Sequence, residues 1–454
     1  MERKKRFGRP LKTAFCALMA LLVAGMWGAT PIGRAAQLPV KLTGAYGDAA
    51  GLTGQQGLTR ASTLDVDTGM LLGGLNDEAQ FTPTGGAVTM MTADLVLQEH
   101  ALDEVVEITA EMLSAVPENA MKAGLKGGDN VTVKDLIATM TLTGAQDSAQ
   151  ALAVYAAGSP EAFVQKMNAR ADELGMIHTH YTNATGIYDG AQKTATQDLL
   201  RLAYSLYKEE KAGDLFSQAS IPLTATGTAL KSEAVNRVEM MVSSSAAYDE
   251  RVKAAFGAGS SAQEGYNTVV VAQVEGMQVI AVCCGNGNGA QVYPAISSLL
   301  DTLGEQYQRV DLAEPIAQML EGVKDGDREL TAQIAGNIFV SAAKGWQPAE
   351  GALAYTLVDR VDPLAENALY AYAAVTLGGE PVARIPLNYG AVTEPLPPQI
   401  DQNGQTADSL APQESAPYRQ SLYDRYGWIF WIVASAVLGG VVLLICNMIN
   451  KRMK

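Results

Sequence analysis

Residues 81–97 read FTPTGGAVTMMTADLVL, and the hydrophobic pattern of this stretch decides the fold. Its apolar residues recur at helical spacing: Met90, Met91, Ala93, Leu95 and Leu97. A helix that begins near Gly86 would therefore carry a broad apolar stripe. We expect this helix to lie at the centre of a folded domain, buried by the elements around it.

The flanking stretches predict strands and further helices. Residues 61–72, ASTLDVDTGMLL, predict two short strands around a turn that contains Asp67 and Gly69. Residues 129–153, DNVTVKDLIATMTLTGAQDSAQALA, predict a helix that leads into a corner and then a second helix. Ser159 predicts a helix cap, because Pro160 follows it at the first helical position.

Together with FVQKMNARADELGMIHTHYTNATGI at 163–187, these stretches resemble the penicillin-binding serine D-alanyl-D-alanine carboxypeptidases. The resemblance covers roughly residues 61–390. It implies an α/β penicillin-recognising domain of the β-lactamase-like kind, with an antiparallel sheet, flanking helices and one buried central helix. A small β-rich C-terminal domain should follow, in which LYAYAAVTL, a Gly-Gly-Glu turn and VARIPL form a hairpin.

The first catalytic motif of the family is Ser-x-x-Lys at the start of the central helix. The resemblance implies acyl transfer, in which this Ser attacks a terminal peptide carbonyl and the Lys handles its proton. Aligned on TMMTA, which parallels the family's Ile-Met-Thr-Ala, the two positions hold Gly86 and Thr89. Gly86 has no side chain, and Thr89 has no amine that can act as a base.

The second motif, Ser-x-Asn, belongs at the corner before the DSAQALA helix. Here the three positions read Gly144-Ala145-Gln146. Gln146 keeps a carboxamide that can bind a ligand, but the relay hydroxyl of the family is missing. Thr141 and Thr143 are close in sequence, and we interpret them as residues that cap or turn the chain.

The third motif, Lys-Thr-Gly, lies on the edge strand that lines the family's site, where it grips a terminal carboxylate. Counting back from the Glu-Gly-Tyr-Asn sequence at 264–267, its place is filled by Gly257, Ala258 and Gly259. Only the last glycine, a second candidate for ligand binding, is kept. A shifted register offers Lys253, but a Lys four residues away faces elsewhere on most backbones.

Three degenerate motifs with preserved flanking sequence predict a catalytically inactive homologue. We expect it to bind peptidoglycan stem peptide or a protein partner through the old cleft. Glycines 86, 144 and 257 predict a roomier and less charged groove. One alternative is an active serine-type D-Ala-D-Ala carboxypeptidase with another nucleophile, tested at Ser243 or Lys253. A second alternative is a scaffold that acts through the β-rich domain.

Other reactive side chains form no convincing site. Residues 243–245 are a triple serine without a nearby His in the sequence. His178 and His180 have i, i+2 spacing, which makes a weak metal site without a neighbouring carboxylate. The adjacent Cys283 and Cys284 are interpreted as buried strand residues that face opposite ways. We expect no cofactor and no metal.

Composition and targeting segments place the chain at a membrane. The net charge of −15 argues against a nucleic-acid surface. We predict the following organisation: signal peptide 1–36, lead-in 37–60, carboxypeptidase-like domain 61–307, β-rich domain 308–390, Pro-rich stalk 391–426, transmembrane helix 427–449 and basic cytoplasmic tail 450–454. An uncleaved N-terminal anchor and a buried C-terminal helix are the alternatives. The Lys and Arg residues after the span indicate a single-pass protein of the cell membrane, with its bulk facing the cell wall.

Overall fold

The computed structural model describes residues 43–47, 52, 57–224, 232–361 and 368–390. The predicted signal peptide, stalk, transmembrane helix and tail lie outside these residues. Within the described part of the chain, no helix is both long enough and apolar enough to cross a membrane.

The chain divides into two compact units: Met1–Leu312 with Ile338–Leu353, and Ala313–Asn337 with Ala354–Lys454. The predicted division after residue 307 differs from this one. Strand Phe339–Ala343 pairs with strand Tyr307–Asp311 and so returns to the first unit. The pairing joins segments far apart in sequence, which is why no local pattern indicated it.

The first unit contains twelve of the described strands: β1 (Thr43–Gly44), β2 (Arg60–Asp65), β3 (Met70–Leu75), β4 (Val105–Glu107), β5 (Asn130–Thr132), β6 (Ser220–Pro222), β7 (Glu233–Val235), β8 (Val252–Ser261), β9 (Gly265–Val274), β10 (Met277–Gly285), β11 (Tyr307–Asp311) and β14 (Phe339–Ala343). Six of them form the main sheet in the order β1-β3-β2-β10-β9-β8. β9 and β10 are almost continuously buried, because helices cover both faces of the sheet. β8 lies at the edge, as predicted for the third motif.

Eight helices of the first unit are described: α1 (Gly86–Glu99), α2 (Ala110–Leu113), α3 (Val133–Ala138), α4 (Gln146–Ala157), α5 (Pro160–Glu173), α6 (Thr196–Tyr207), α7 (Glu210–Phe216) and α8 (Gly289–Gln306). α1 is buried from Gly86 to Leu97, so the prediction of a central helix is confirmed. The Ser159 side chain accepts a hydrogen bond from the Ala162 amide, with Pro160 at the first position of α5. The predicted cap is therefore also confirmed.

Two hydrophobic clusters lie on the two faces of the main sheet. One contains α1 together with Cys284, and the other contains α8 together with Cys283. Both thiols are buried and free, and burial raises the pKa of the Cys284 thiol to about 12. The prediction that the two cysteines face opposite ways is confirmed, and neither is a reactive thiolate at neutral pH.

The second unit is β-rich. Its elements are helix α9 (Ala313–Met319) and strands β12 (Lys324–Asp325), β13 (Arg328–Ala332), β15 (Leu353–Val358), β16 (Leu369–Leu377) and β17 (Glu380–Tyr389). The strands form one sheet in the order β12-β13-β17-β16-β15. Gly378 and Gly379 both have positive φ angles, of 60° and 90°, which a two-residue turn between twisted strands requires. The predicted hairpin and the predicted β-rich C-terminal region are confirmed.

Candidate functional site

The first turn of α1 carries neither a serine nor a lysine. Gly86 is the first residue of the helix and is buried, and Thr89 is only 3% exposed. The residue before the helix, Gly85, has φ 53° and ψ −124°, a conformation that only glycine adopts readily. The position that the sequence alignment predicts for the family's nucleophile is therefore a buried glycine, and it follows a glycine with a positive φ angle.

The second motif position follows a π-helical turn at Thr139–Thr143, which ends at Gly144 with φ 77°. The hydroxyl of Thr141 donates to the Ile137 carbonyl at 2.7 Å, and that of Thr143 donates to the Thr139 carbonyl at 2.7 Å. Both hydroxyls bond to the preceding turn, as predicted, and neither is offered to a ligand. Gln146 begins α4 and is half-buried, with its amide N–H bonded to the Met121 carbonyl at 2.8 Å.

An arginine occupies the open side of Gly144. A Cβ built on Gly144 would lie 3.1 Å from Nη1 of Arg237 and 3.5 Å from Sδ of Met121. Arg237 is exposed, and Nη1 donates to the Met121 sulfur at 3.1 Å. The space expected at Gly144 in a roomier and less charged groove is therefore occupied by a cation, Arg237, that the sequence patterns did not indicate. Little in the sequence indicated that Arg237 belongs to the site, because the segment before Arg237 contains no recognisable motif.

At Gly85 and Gly259, backbone atoms of the edge strand and of the chain before α1 lie against each other. A Cβ on Gly85 would stand 2.7 Å from the Ala258 carbonyl oxygen, and one on Gly259 would overlap the Thr84 carbonyl. The β8 pairing also shifts register between Ala255 and Ala258, as at a β-bulge. At Gly259 the Thr84 backbone occupies the adjacent space, and any role of Gly259 in ligand binding is limited to its own backbone.

The loop after α5 contacts the residue that precedes α1. Asn183 Oδ1 accepts hydrogen bonds from the amides of Thr185 and Gly186, at 3.1 and 2.9 Å. The Gly186 carbonyl then accepts the Gly85 amide at 2.9 Å. A Cβ on Gly186 would be 2.6 Å from the Gly85 nitrogen, so this contact also requires glycine. The TNATG sequence thus holds the start of α1 in place.

The remaining candidates lie outside this constellation. Lys253 is exposed, and its ammonium donates to the Glu250 carbonyl at 2.6 Å. His178 Nδ1 is 3.7 Å from Asp198 Oδ1, whereas His180 is exposed. Across the residues that the structure describes, no group of three or more His, Cys, Asp or Glu side chains could hold a metal ion.

Comparisons with known proteins identify the family. Residues 59–288 match the family model described as D-alanyl-D-alanine carboxypeptidase. A D-alanyl-D-alanine carboxypeptidase from a Streptomyces species is 32% identical over 198 residues, covering 42% of this chain and 62% of that protein. D-alanyl-D-alanine carboxypeptidase DacF of Bacillus subtilis is 29% identical over 154 residues, covering 33% of this chain and 39% of its relative. The chain thus spans less than two thirds of either relative.

Solved structures extend the likeness in fold. A peptidoglycan synthesis regulatory factor from Streptococcus pneumoniae gives a TM-score of 0.59 at 18% identity, covering 73% of this chain and 98% of that structure. Penicillin-binding protein 6B from Escherichia coli gives a TM-score of 0.56 at 18% identity, covering 76% of this chain and 99% of that structure. The family match extends over half of the sequence and includes the segments that form the site. The chain is a member of the D-alanyl-D-alanine carboxypeptidase family.

Proposed function

We propose that this chain is a catalytically inactive member of its family that binds cell-wall peptide or a protein partner without cleaving it. The observation that carries the proposal is the first turn of α1, where buried Gly86 and Thr89 replace the nucleophile and the amine that acyl transfer needs. Export and a C-terminal membrane anchor belong to the same proposal, on the sequence grounds given above.

Other hydroxyls are poorly placed to replace the lost serine. Thr82 Oγ1 lies 3.4 Å from the Lys193 ammonium, but Thr82 is only 2% exposed and cannot meet a substrate carbonyl. Ser245 donates to Glu239 at 3.2 Å, on a surface loop that also carries exposed Ser243. A nucleophile needs both access and an adjacent base, and Thr82 lacks the access. The segment before Ser245 packs through Met240 and Met241 in the cluster that contains α8, on the other face of the sheet from α1.

Two side chains give the cleft a binding capacity. Arg237 beside Gly144 is exposed and has no carboxylate partner among the described residues, so its guanidinium is available to an anionic group. Gln146 supplies a carboxamide from the start of α4. A guanidinium binds a peptide carboxylate through charge-assisted hydrogen bonds, whereas a carboxamide binds a peptide group. We therefore propose a peptide with a free carboxylate as the ligand.

The test combines acylation with binding on the purified full-length chain. Intact mass should not change after incubation with penicillin, and a peptide ending in D-Ala-D-Ala should bind in calorimetry without releasing D-alanine. Arg237→Ala should weaken binding about tenfold or more, because a hydrogen bond to a charged group contributes about 1.5–3 kcal/mol. Lys253→Ala, at an exposed lysine on the edge strand β8, is the control and should bind normally.

The outcomes separate the alternatives. One penicillin adduct, or D-alanine release that is lost in Ser243→Ala or Lys253→Ala, would establish the active carboxypeptidase instead. Gly86→Ser with Thr89→Lys attempts to restore the missing chemistry, and an adduct in that variant alone would agree with an inactive native site. Failure to bind the peptide would leave the cleft without its proposed ligand and favour a role carried by other surfaces.

A further inference from the structure

β15 presents an uncovered edge of the sheet in the second unit. It is the last strand in that sheet, and no described strand pairs with its outer side. Its middle residues, Ala354, Tyr355 and Thr356, are exposed, with Tyr355 at 37%. An edge strand carries a row of unpaired N–H and C=O groups that can pair with another strand.

The two edges of this sheet are built differently. β12, at the opposite edge, has only two residues, and both are charged. Lys324 donates to Glu329 at 2.9 Å, and Asp325 accepts from Arg360 at 2.6 Å. Short length and charge are the usual ways in which proteins protect an edge. β15 reads LAYTLV, with neither a charge nor a proline, so one edge is guarded and the other is left open for pairing.

We infer that β15 pairs with β15 of a second copy of this chain, antiparallel and around a two-fold axis at Tyr355. Alternate residues of a strand share a face, so Leu353, Tyr355 and Leu357 form one row. In a register centred on Tyr355, the two tyrosines are opposite each other and each Leu353 faces the partner's Leu357. The row is therefore apolar and self-complementary, as an isologous interface requires.

The C-terminal segment of the chain is an unsuitable occupant of this edge. The segment beyond residue 390 leaves from β17, which β16 separates from β15 in the sheet. It contains five prolines between residues 391 and 418, and proline cannot donate to a strand ladder. As a predicted stalk, residues 391–426 could reach roughly 120 Å at about 3.3 Å per residue. That reach would let two membrane-anchored copies align, and the guarded β12 edge would stop the assembly at two.

Charge substitution at the two-fold axis tests the inference on the full-length chain in detergent. In sedimentation, the native chain should form a reversible dimer, and Tyr355→Lys should weaken association about tenfold or more, because like charges would face each other. Tyr355→Glu should do the same, and an equimolar mixture of the two variants should dimerise again. Tyr248→Lys, at a tyrosine with 46% exposure in the first unit, is the matched control and should dimerise normally.

Cross-linking tests the register. Tyr355→Cys should form a disulfide-linked dimer under mild oxidation, since directly opposed strand residues lie within disulfide range. Lys324→Cys, at the guarded edge, should give only the background of the unmodified chain, which carries its own Cys446. A monomeric native chain, an undiminished Tyr355→Lys dimer, or a mixture that fails to associate would each overturn the inference.

Discussion

Gly259 on β8 lies against the backbone carbonyl of Thr84, two residues before α1 begins. A methyl group at position 259 would overlap that carbonyl, and backbone atoms cannot rotate away as the end of a side chain can. We therefore expect Gly259→Ala to lower the free energy of unfolding by about 1–3 kcal/mol, the usual cost of forcing extra volume into a close contact. Calorimetry of the first unit's thermal transition measures it.

The matched control is Gly213→Ala in α7. A Cβ on Gly213 meets no atom within 4 Å, and alanine favours a helix over glycine. This variant should be more stable than the native chain by about 0.5–1 kcal/mol. If Gly259→Ala were as stable as the native protein, the edge strand and α1 would not be in the close contact described here.

Local patterns predicted several central elements of the fold. The apolar spacing of α1, the Ser159 cap of α5 and the Gly-Gly turn between β16 and β17 each depend on neighbours in the sequence, so they could be recognised in advance. The return of β14 to pair with β11 could not, because a short strand carries no mark of a distant partner. The boundary between the two units follows from that pairing.

Contacts between distant segments also limited what could be predicted of the site. The resemblance placed Gly86, Gly144 and Gly259 on a helix start, a corner and an edge strand, and the structure has them there. It did not indicate which groups lie beside these glycines. Arg237 reaches Gly144 from a segment far along the chain, a tertiary contact that neither spacing nor composition reveals.

The buried pair between Asp94 of α1 and Arg170 of α5 gives a pH-dependent prediction. The carboxylate is 2% exposed and accepts Nε of Arg170 at 2.8 Å. Burial raises the pKa of Asp94 above its ordinary value of 3.8, although the nearby Arg170 guanidinium opposes the shift. The folded state therefore holds the proton more tightly, and this group's contribution to stability decreases as the pH rises from about 3.8 through the raised pKa.

Arg170→Met removes the opposing cation and should steepen that loss. At neutral pH the variant should be about 3–5 kcal/mol less stable, since a buried carboxylate is left without its partner. Urea unfolding at several pH values should show a smaller deficit at low pH. Lys166→Met, which breaks an exposed ion pair with Glu99, should lower the free energy of unfolding by less than about 1 kcal/mol. A pH-independent deficit in Arg170→Met would refute the argument.

Glu104 should titrate far below a normal glutamate. The Ala101 amide, then His100 and the Tyr155 hydroxyl, donate to its carboxylate and lower its pKa from 4.5 to about 2. A depressed carboxyl pKa stabilises the fold above pH 4.5, and the contribution is lost as the pH falls toward 2. NMR titration of the carboxyl carbon should give a midpoint near 2, and Tyr155→Phe should raise it. A midpoint near 4.5 would mean that these hydrogen bonds do not form in solution.

The Asp147 carboxylate holds the loop that carries Met121 to the cleft. It is 2% exposed and accepts the amides of Ala123, Gly124 and Leu125, at 2.8, 2.9 and 3.1 Å. Asp147→Ala removes both acceptor oxygens and with them all three of these hydrogen bonds. Each hydrogen bond to a charged group contributes about 1.5–3 kcal/mol, so local opening of the loop should become at least about tenfold more frequent.

Hydrogen exchange measured by mass spectrometry can follow the amides of this loop directly. In Asp147→Ala they should exchange faster, whereas the β9 and β10 amides at the centre of the sheet should keep their protection. Asp172→Ala, at an exposed carboxylate on α5, is the control and should leave the loop unchanged. Faster exchange throughout the first unit would show instead that Asp147 supports the whole domain. Unchanged exchange would mean that other contacts hold Met121 beside Arg237.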